Sequence, residues 1–232
     1  MKNALIAVAL FSALSSPALA EVKSVTDTGF NIVHIAEVAA DPDAIWKRLI
    51  SPKDYWSKEH SWSGSTAGFY IDAQANGCFC EMFQEKGADG KIKTTGSVEH
   101  MRVIFAQPGK VLRMQGALGP LQSEAVLGTL TVAIVPLKSG LSSKLSFSYV
   151  VGGYMRYKTT EIAPVVDKVL GEQFKSLISS YVTTTVGQGQ ADGFSLDVEK
   201  LDAEPPNVGE VPAAEPPVVP ASPEVDTTEP KR

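Results

Sequence analysis

Cysteine is nearly absent from this 232-residue chain, which has only Cys78 and Cys80. Two thiols cannot build the multi-bridge framework of a small secreted scaffold, so the fold must rest on a hydrophobic core. Histidine is equally scarce, with His34, His60 and His100 as the full set. Together with the two thiols they reproduce no zinc-ligand spacing, and neither a metal nor another cofactor is expected. A basic excess is missing too: 21 Lys and Arg stand against 26 Asp and Glu, which argues against a nucleic-acid partner. No Gly-x-Ser-x-Gly, P-loop, dinucleotide fingerprint or His-Glu-x-x-His is present, so the common hydrolase, nucleotide and zinc-protease chemistries have no support. Beyond residue 20 no apolar run nears the ~20 residues of a membrane-spanning helix, and the product is expected not to span a membrane.

What is present begins with a leader. Lys2 supplies a positive start, Ala4 to Leu14 an apolar stretch, and Pro17 with Ala18-Leu19-Ala20 a small-residue cleavage site. Residues 1–20 therefore read as a cleavable signal peptide, cut after Ala20, that directs the protein to the periplasm or outside the cell. As a helix the apolar stretch reaches only about 16 Å, roughly half of a hydrocarbon core, so it is too short for an anchor. No cysteine follows it to accept a lipid.

The other end differs in texture. Residues 187–232 hold eight prolines, a single aromatic at Phe194, and 10 acids against 3 bases. Such a composition predicts a disordered acidic tail, because it cannot bury enough apolar surface to offset the entropy of ordering. Its bland role is a solvated appendage; the functional alternative is contact with the cell envelope or a basic partner. Residues 21–186 are then one nearly neutral domain of ordinary size.

Within that domain, Phe30 to Val38 alternates as a strand, with Ile32, His34, Ala36 and Val38 on one side. Asp41 reads as an N-cap and Pro42 as the first residue of a short helix that presents Ile45, Trp46 and Leu49 on one face. Ser51-Pro52-Lys53-Asp54 opens a second short turn carrying Tyr55 and Trp56. Six strands are expected near 68–74, 78–85, 92–105, 110–116, 124–136 and 142–151, separated by Gly, Pro and Asn turns. After Gly152-Gly153 a long amphipathic helix is expected over about 160–182, with Ile162, Val166, Leu170, Gln173, Phe174 and Leu177 on its stripe and Pro164 in its first turn, where proline is tolerated. A strand, two short helices, six strands and a long helix predict an α+β fold with the long helix crossing one face of an antiparallel sheet.

The thiols sit two apart in Gly77-Cys78-Phe79-Cys80-Glu81. On an ideal strand their Cα atoms would be about 6.6 Å apart, at the far edge of disulfide geometry. Two unbonded thiols on an apolar face are the simpler expectation, and a redox-active pair is the alternative.

The run Ala40-Asp41-Pro42-Asp43-Ala44-Ile45-Trp46-Lys47-Arg48-Leu49 leading to Ser51-Pro52-Lys53-Asp54-Tyr55-Trp56 resembles the helix-grip superfamily called SRPBCC or START-like. The likeness is to the branch that groups polyketide cyclase-like proteins with the activator of the heat-shock-protein ATPase. Gly77-Cys78-Phe79-Cys80-Glu81 is similar to that branch's Gly-x-Phe-x-Glu strand. Gly96-Ser97-Val98 and Gln107-Pro108-Gly109-Lys110-Val111-Leu112 are similar to its following strand and proline turn. The resemblance spans about residues 28–184 and implies a curved antiparallel sheet gripping the C-terminal helix. It also implies a cavity between them that in many members holds a hydrophobic ligand, and it implies no fixed catalytic residues.

The expectation is therefore an exported protein that binds a small hydrophobic or amphipathic molecule under its last helix. Trp46, Trp56, Tyr70, Cys80, Met101, Met114, Phe147, Tyr149 and Phe174 are the candidate ligand-binding residues. Trp62, Phe105, Tyr154 and Met82 belong to the same apolar set but rank behind these. No catalytic residue is assigned. His100, close in sequence to Glu99 and Arg102, is the best candidate base for a rival reading as a cyclase- or hydrolase-type enzyme, which would need His100, Cys80 and Glu99 to converge. A further rival is a protein-interaction module like the chaperone-ATPase activators.

Overall fold

Alternation along Gly29–Val38 produces the strand on which the fold is organised, with Phe30, Ile32, His34, Ala36 and Val38 all turned inward and buried. The computed structural model describes residues 21–137, 140–181 and 183–185. The leader expected over 1–20 and the tail expected over 187–232 lie outside the described residues. In chain order the strands are β1 (Glu21–Thr26), β2 (Gly29–Val38), β3 (Phe69–Ile71), β4 (Cys78–Lys86), β5 (Ile92–Gln107), β6 (Val111–Gln115), β7 (Ala125–Pro136), β8 (Ser143–Tyr154) and β9 (Thr183–Thr185). The helices are α1 (Pro42–Leu49) and α2 (Thr159–Ile178), with single 3-10 turns at Pro52–Asp54, Lys58–His60 and Gly119–Ser123.

The strands form a curved, unclosed antiparallel sheet in the order β1-β2-β8-β7-β6-β5-β4-β3, and the protein is an α+β fold. Strand β8 pairs with β2 from Gly29↔Gly152 to Val38↔Ser143. The opposite edge of β2 is shared, by β1 along Gly29 to Val33 and by β9 at Glu37 and Val38. Helix α2 lies on the inward face, where Ile162, Val166, Leu170, Phe174 and Leu177 meet Leu130, Val132, Leu145 and Phe147 in one core. Phe174 packs edge-on to Phe147 at 5.1 Å and stacks on His34 at 5.7 Å. Burying each such side chain contributes about 1.5–3 kcal/mol. Among the described residues no helix is long and apolar enough to cross a membrane.

Three features depart from the sequence reading. Strand β1 was not expected, because Glu21-Val22-Lys23-Ser24-Val25-Thr26 is a mostly polar edge strand whose alternation is weak. The three-residue β9 is held by its pairing with β2 and has no periodicity to read. Helix α2 stops at Ile178, before the expected residue 182, where Ser179 turns its hydroxyl back onto the Ser176 carbonyl at 2.8 Å. Pro164, as the sixth residue of α2, falls in the second turn, on the solvent side.

Helix α1 forms as the Asp41-Pro42 pattern predicts: the Asp41 carboxylate accepts the Ala44 N–H at 2.9 Å, capping the first turn. Its Arg48 then clamps the far end of α2. Arg48 Nε donates to the Leu177 carbonyl at 2.7 Å and its Nη2 to the Ser176 carbonyl at 3.2 Å. Those carbonyls belong to the last turn of α2, which carries the negative end of the helix dipole. Replacing Arg48 with alanine is expected to lower stability by about 1.5–3 kcal/mol. A fall in the urea midpoint with an unchanged slope would show it.

Candidate functional site

The segment from Tyr55 to Ser63 crosses from α1 to the open side of the sheet, and four side-chain anchors fix its path. The buried Tyr55 hydroxyl donates to the Leu49 carbonyl at 3.0 Å, and Trp56 Nε1 donates to the His60 carbonyl at 3.1 Å. The Ser57 N–H donates to Gln173 Oε1 on α2 at 2.8 Å. Trp62 and Ser63 donate their backbone N–H groups to the two oxygens of Glu81, at 3.1 and 2.7 Å.

Between this segment and α2 lies a partly open cleft of about 300 Å³. Val165, Val166, Val169 and Leu170 of α2 form one wall, and Trp56, Glu59, His60, Ser61 and Trp62 form the facing one. Leu118, Gly119 and Pro120 close an end, and His100 reaches it from the sheet. The volume is at the lower end of small-molecule sites, and the lining is mostly apolar with a few polar groups. The Leu118 end is set by Tyr149, whose hydroxyl accepts from the Leu118 N–H at 3.2 Å and donates to the Gly116 carbonyl at 3.3 Å. Opposite that hydroxyl stands Gly128, where a Cβ would overlap both the Tyr149 hydroxyl oxygen and the Gly116 carbonyl.

His100 and Glu81 form a buried pair: Nε2 of His100 lies 3.0 Å from Oε2 of Glu81, with 4% of His100 and none of Glu81 exposed. Their meeting depends on a bulge. Phe79 pairs with Met101 while Cys80 pairs with Glu99, so His100 is the extra residue on β5, and both His100 and Met101 turn inward. The imidazole is caged by Phe69 at 5.3 Å and Phe79 at 4.9 Å, with Trp56 against Phe79. Burial pushes the Glu81 carboxyl up, but hydrogen bonds from Ser63, the Trp62 backbone and His100 outweigh it and hold the group below its ordinary value. Burial lowers His100 despite the attraction of the Glu81 charge, so the ring stays neutral near pH 7. An ionised Glu81 then fixes the tautomer, with the proton on Nε2 and a free lone pair on Nδ1.

Of the sequence-predicted residues, Trp56 and His100 line the cleft. Trp46, Met101, Met114, Phe147, Tyr149 and Phe174 are buried in the packed core beneath it. His100 and Met101 also border a second, more open hollow of about 460 Å³ with Glu99, Gln122 and Glu124. Tyr70 and Cys80 do not reach the cleft. They pair with each other across β3 and β4 on the opposite face from Phe79 and Glu81. Cys78 and Cys80 are not free thiols but form a disulfide, their Cα atoms 5.4 Å apart, closer than an ideal strand allows. The register shift at Phe79 and Cys80 accompanies the shorter spacing. Glu99 also faces outward, paired with Arg102 at 3.1 Å, so His100, Cys80 and Glu99 do not converge.

The groups that sequence reasoning did not assign to a site are Glu81, His60 and Gln173, with Trp62 ranked too low. Two signals pointed to them: Glu81 lies two residues from Phe79 on one strand face, and Gln173 interrupts the apolar stripe of α2. Among the described residues no group of three or more His, Cys, Asp or Glu side chains gathers where a metal could be held.

No family model matches the chain, and no curated protein does. Among solved structures, a protein of Mesorhizobium loti aligns over 64% of this chain and 94% of its own, at 14% identity and a TM-score of 0.42. One from Rhodobacter sphaeroides aligns over 70% and 97%, at 17% identity and 0.39. A third, from Mycobacterium smegmatis, aligns over 72% and 98%, at 13% identity and 0.43. Likenesses this distant carry no argument about the site.

Proposed function

We propose that this chain is an exported protein of the helix-grip, SRPBCC or START-like, kind that holds a hydrophobic or amphipathic small molecule in the cleft beside its C-terminal helix α2. The observation that carries the reading is the apolar cleft of about 300 Å³ at the α2 wall. Its valine and leucine side chains offer burial without a polar partner of their own, and an apolar ligand supplies what they lack. The order of elements supports the family reading, and the leader supports export. Native mass spectrometry of the protein recovered from its own cell envelope is expected to show a chain beginning at Glu21 with a co-purifying small apolar mass. A chain that retains residues 1–20 would remove export, and a bare protein that also refuses apolar probes would remove binding.

The buried Glu81–His100 pair favours a second reading, an enzyme acting on the same ligand. A carboxylate that orients a neutral imidazole leaves its other nitrogen available as a base. Prolonged incubation separates the two readings: a carrier leaves its bound ligand's mass unchanged, and an enzyme alters it.

A further inference from the structure

His100, which lines the cleft, has one ring nitrogen that the described residues leave without a partner. Glu81 Oε1 accepts from the Ser63 N–H, and Oε2 accepts from the Trp62 N–H, so the carboxylate can meet His100 Nε2 only as an acceptor. The proton of His100 is therefore on Nε2, and Nδ1 carries a lone pair. Among the described residues Nδ1 has no hydrogen-bond partner, yet it is not among the side-chain atoms sealed without one. A ring 96% withdrawn from solvent thus keeps its accepting nitrogen accessible; His100 borders both the cleft and the second hollow, and of the two only the cleft has the apolar α2 wall.

The charges around the cleft point the same way. No Lys or Arg lines it, Glu59 does, and Glu81 lies directly behind His100. A second histidine at the rim is also held in one tautomer. Ser57 binds Gln173 Oε1, which leaves the Gln173 amide nitrogen to donate to His60 Nδ1 at 2.8 Å. The His60 proton is then on Nε2, 3.8 Å from Glu172. An anionic head group would meet carboxylates and an acceptor nitrogen with no cation to offset them.

Resting on the reading of this cleft as a ligand site, we infer that its ligand is uncharged and carries a hydroxyl that donates to His100 Nδ1, on an aromatic or alicyclic body lying against the α2 wall. Fatty acids and other carboxylates are thereby excluded.

Titrating the full chain with naphthol, naphthalene and naphthoate, followed by tryptophan fluorescence, tests this. Naphthol is expected to bind about tenfold more tightly than naphthalene, one hydrogen bond's difference, and naphthoate most weakly. In nitrogen NMR the Nδ1 resonance of His100 is expected to move with naphthol and stay in place with naphthalene, a readout that needs no variant. His100→Phe is expected to bring naphthol down to the naphthalene level, the ratio of the two affinities in the same protein being the readout. Equal affinity for naphthol and naphthalene, or a stationary Nδ1 signal, would overturn the hydroxyl assignment and leave an apolar cleft standing. Tighter binding of naphthoate than of naphthol would overturn the uncharged class. If none of the three binds, the cleft reading itself fails, and this inference with it.

Discussion

Replacing Glu81 with alanine is expected to destabilise the protein by about 3–5 kcal/mol, a large share of the 5–15 kcal/mol that holds a typical domain folded. The carboxylate is fully buried and is the partner of three donors, the Trp62 and Ser63 N–H groups and His100 Nε2. Each buried donor left without an acceptor costs about 1–3 kcal/mol. The damage would not stay local. Glu81 ties residues 62 and 63 to the sheet, and that segment is a wall of the cleft, so ligand binding should weaken along with stability. Glu81→Gln keeps one accepting oxygen but turns an amide N–H2 toward a donor, and an intermediate loss is expected. Urea titrations of the three proteins at pH 7 would check the order. Equal stability of wild type and Glu81→Ala would show that the pair does not hold the segment.

Acid is expected to produce the second large effect, through His34. Burial, with the Lys175 ammonium nearby, outweighs the influence of Asp167 and holds this histidine down at about 4. Nε2 of His34 lies 3.2 Å from Asp167 Oδ1, but the two are out of line, and neither atom has a hydrogen bond. The proximity therefore supplies little to keep a charged His34 inside. The unfolded chain takes up this proton near 6.5, and the folded chain does not until about 4. The unfolded state thus binds more protons across that window, and stability falls as pH falls through it. A gap of that size is worth roughly 3 kcal/mol.

His100, also lowered, acts in the same sense. Glu81, held below its ordinary value, adds a loss that begins as the unfolded chain's carboxyl takes up its proton and continues below the ordinary carboxylate range. Asp167 acts oppositely: burial raises it, so protonating it on acidification relieves part of its cost. His34→Phe keeps a ring against Phe174 and removes the titration. Its stability between pH 6.5 and 4 is expected to fall less steeply than that of the wild type. Identical slopes would assign the acid sensitivity to other groups.

Much of this architecture was legible because strong local signals agreed with one another. Asp41-Pro42 marks the start of α1, and alternation in Leu145, Phe147 and Tyr149 marks the inward face of β8. The edge strands were illegible for a physical reason: β1 is a mostly polar run and β9 is three threonines, and both join the sheet by pairing with β2, so they carry little pattern. The site divides in the same way. Trp56 and His100 could be named from residue type. That His100 and Met101 both turn inward could not, because a bulge breaks the two-residue period on which such reading relies. The same shift sits beside the disulfide that the spacing alone made an outside expectation. Glu81 was visible as part of a motif, but its partners, the Trp62 and Ser63 N–H groups, lie 18 and 19 residues away and become neighbours only in the fold.

The central claim is that the α2 cleft holds the ligand, and Val169→Trp addresses it directly. Val169 is a half-buried residue of the cleft wall, so an indole there fills the space with little disturbance to the core. Wild type and variant would be purified from the same envelope and weighed intact under native conditions. The account predicts an added small-molecule mass on the wild type and none on Val169→Trp. The same added mass on both would contradict it.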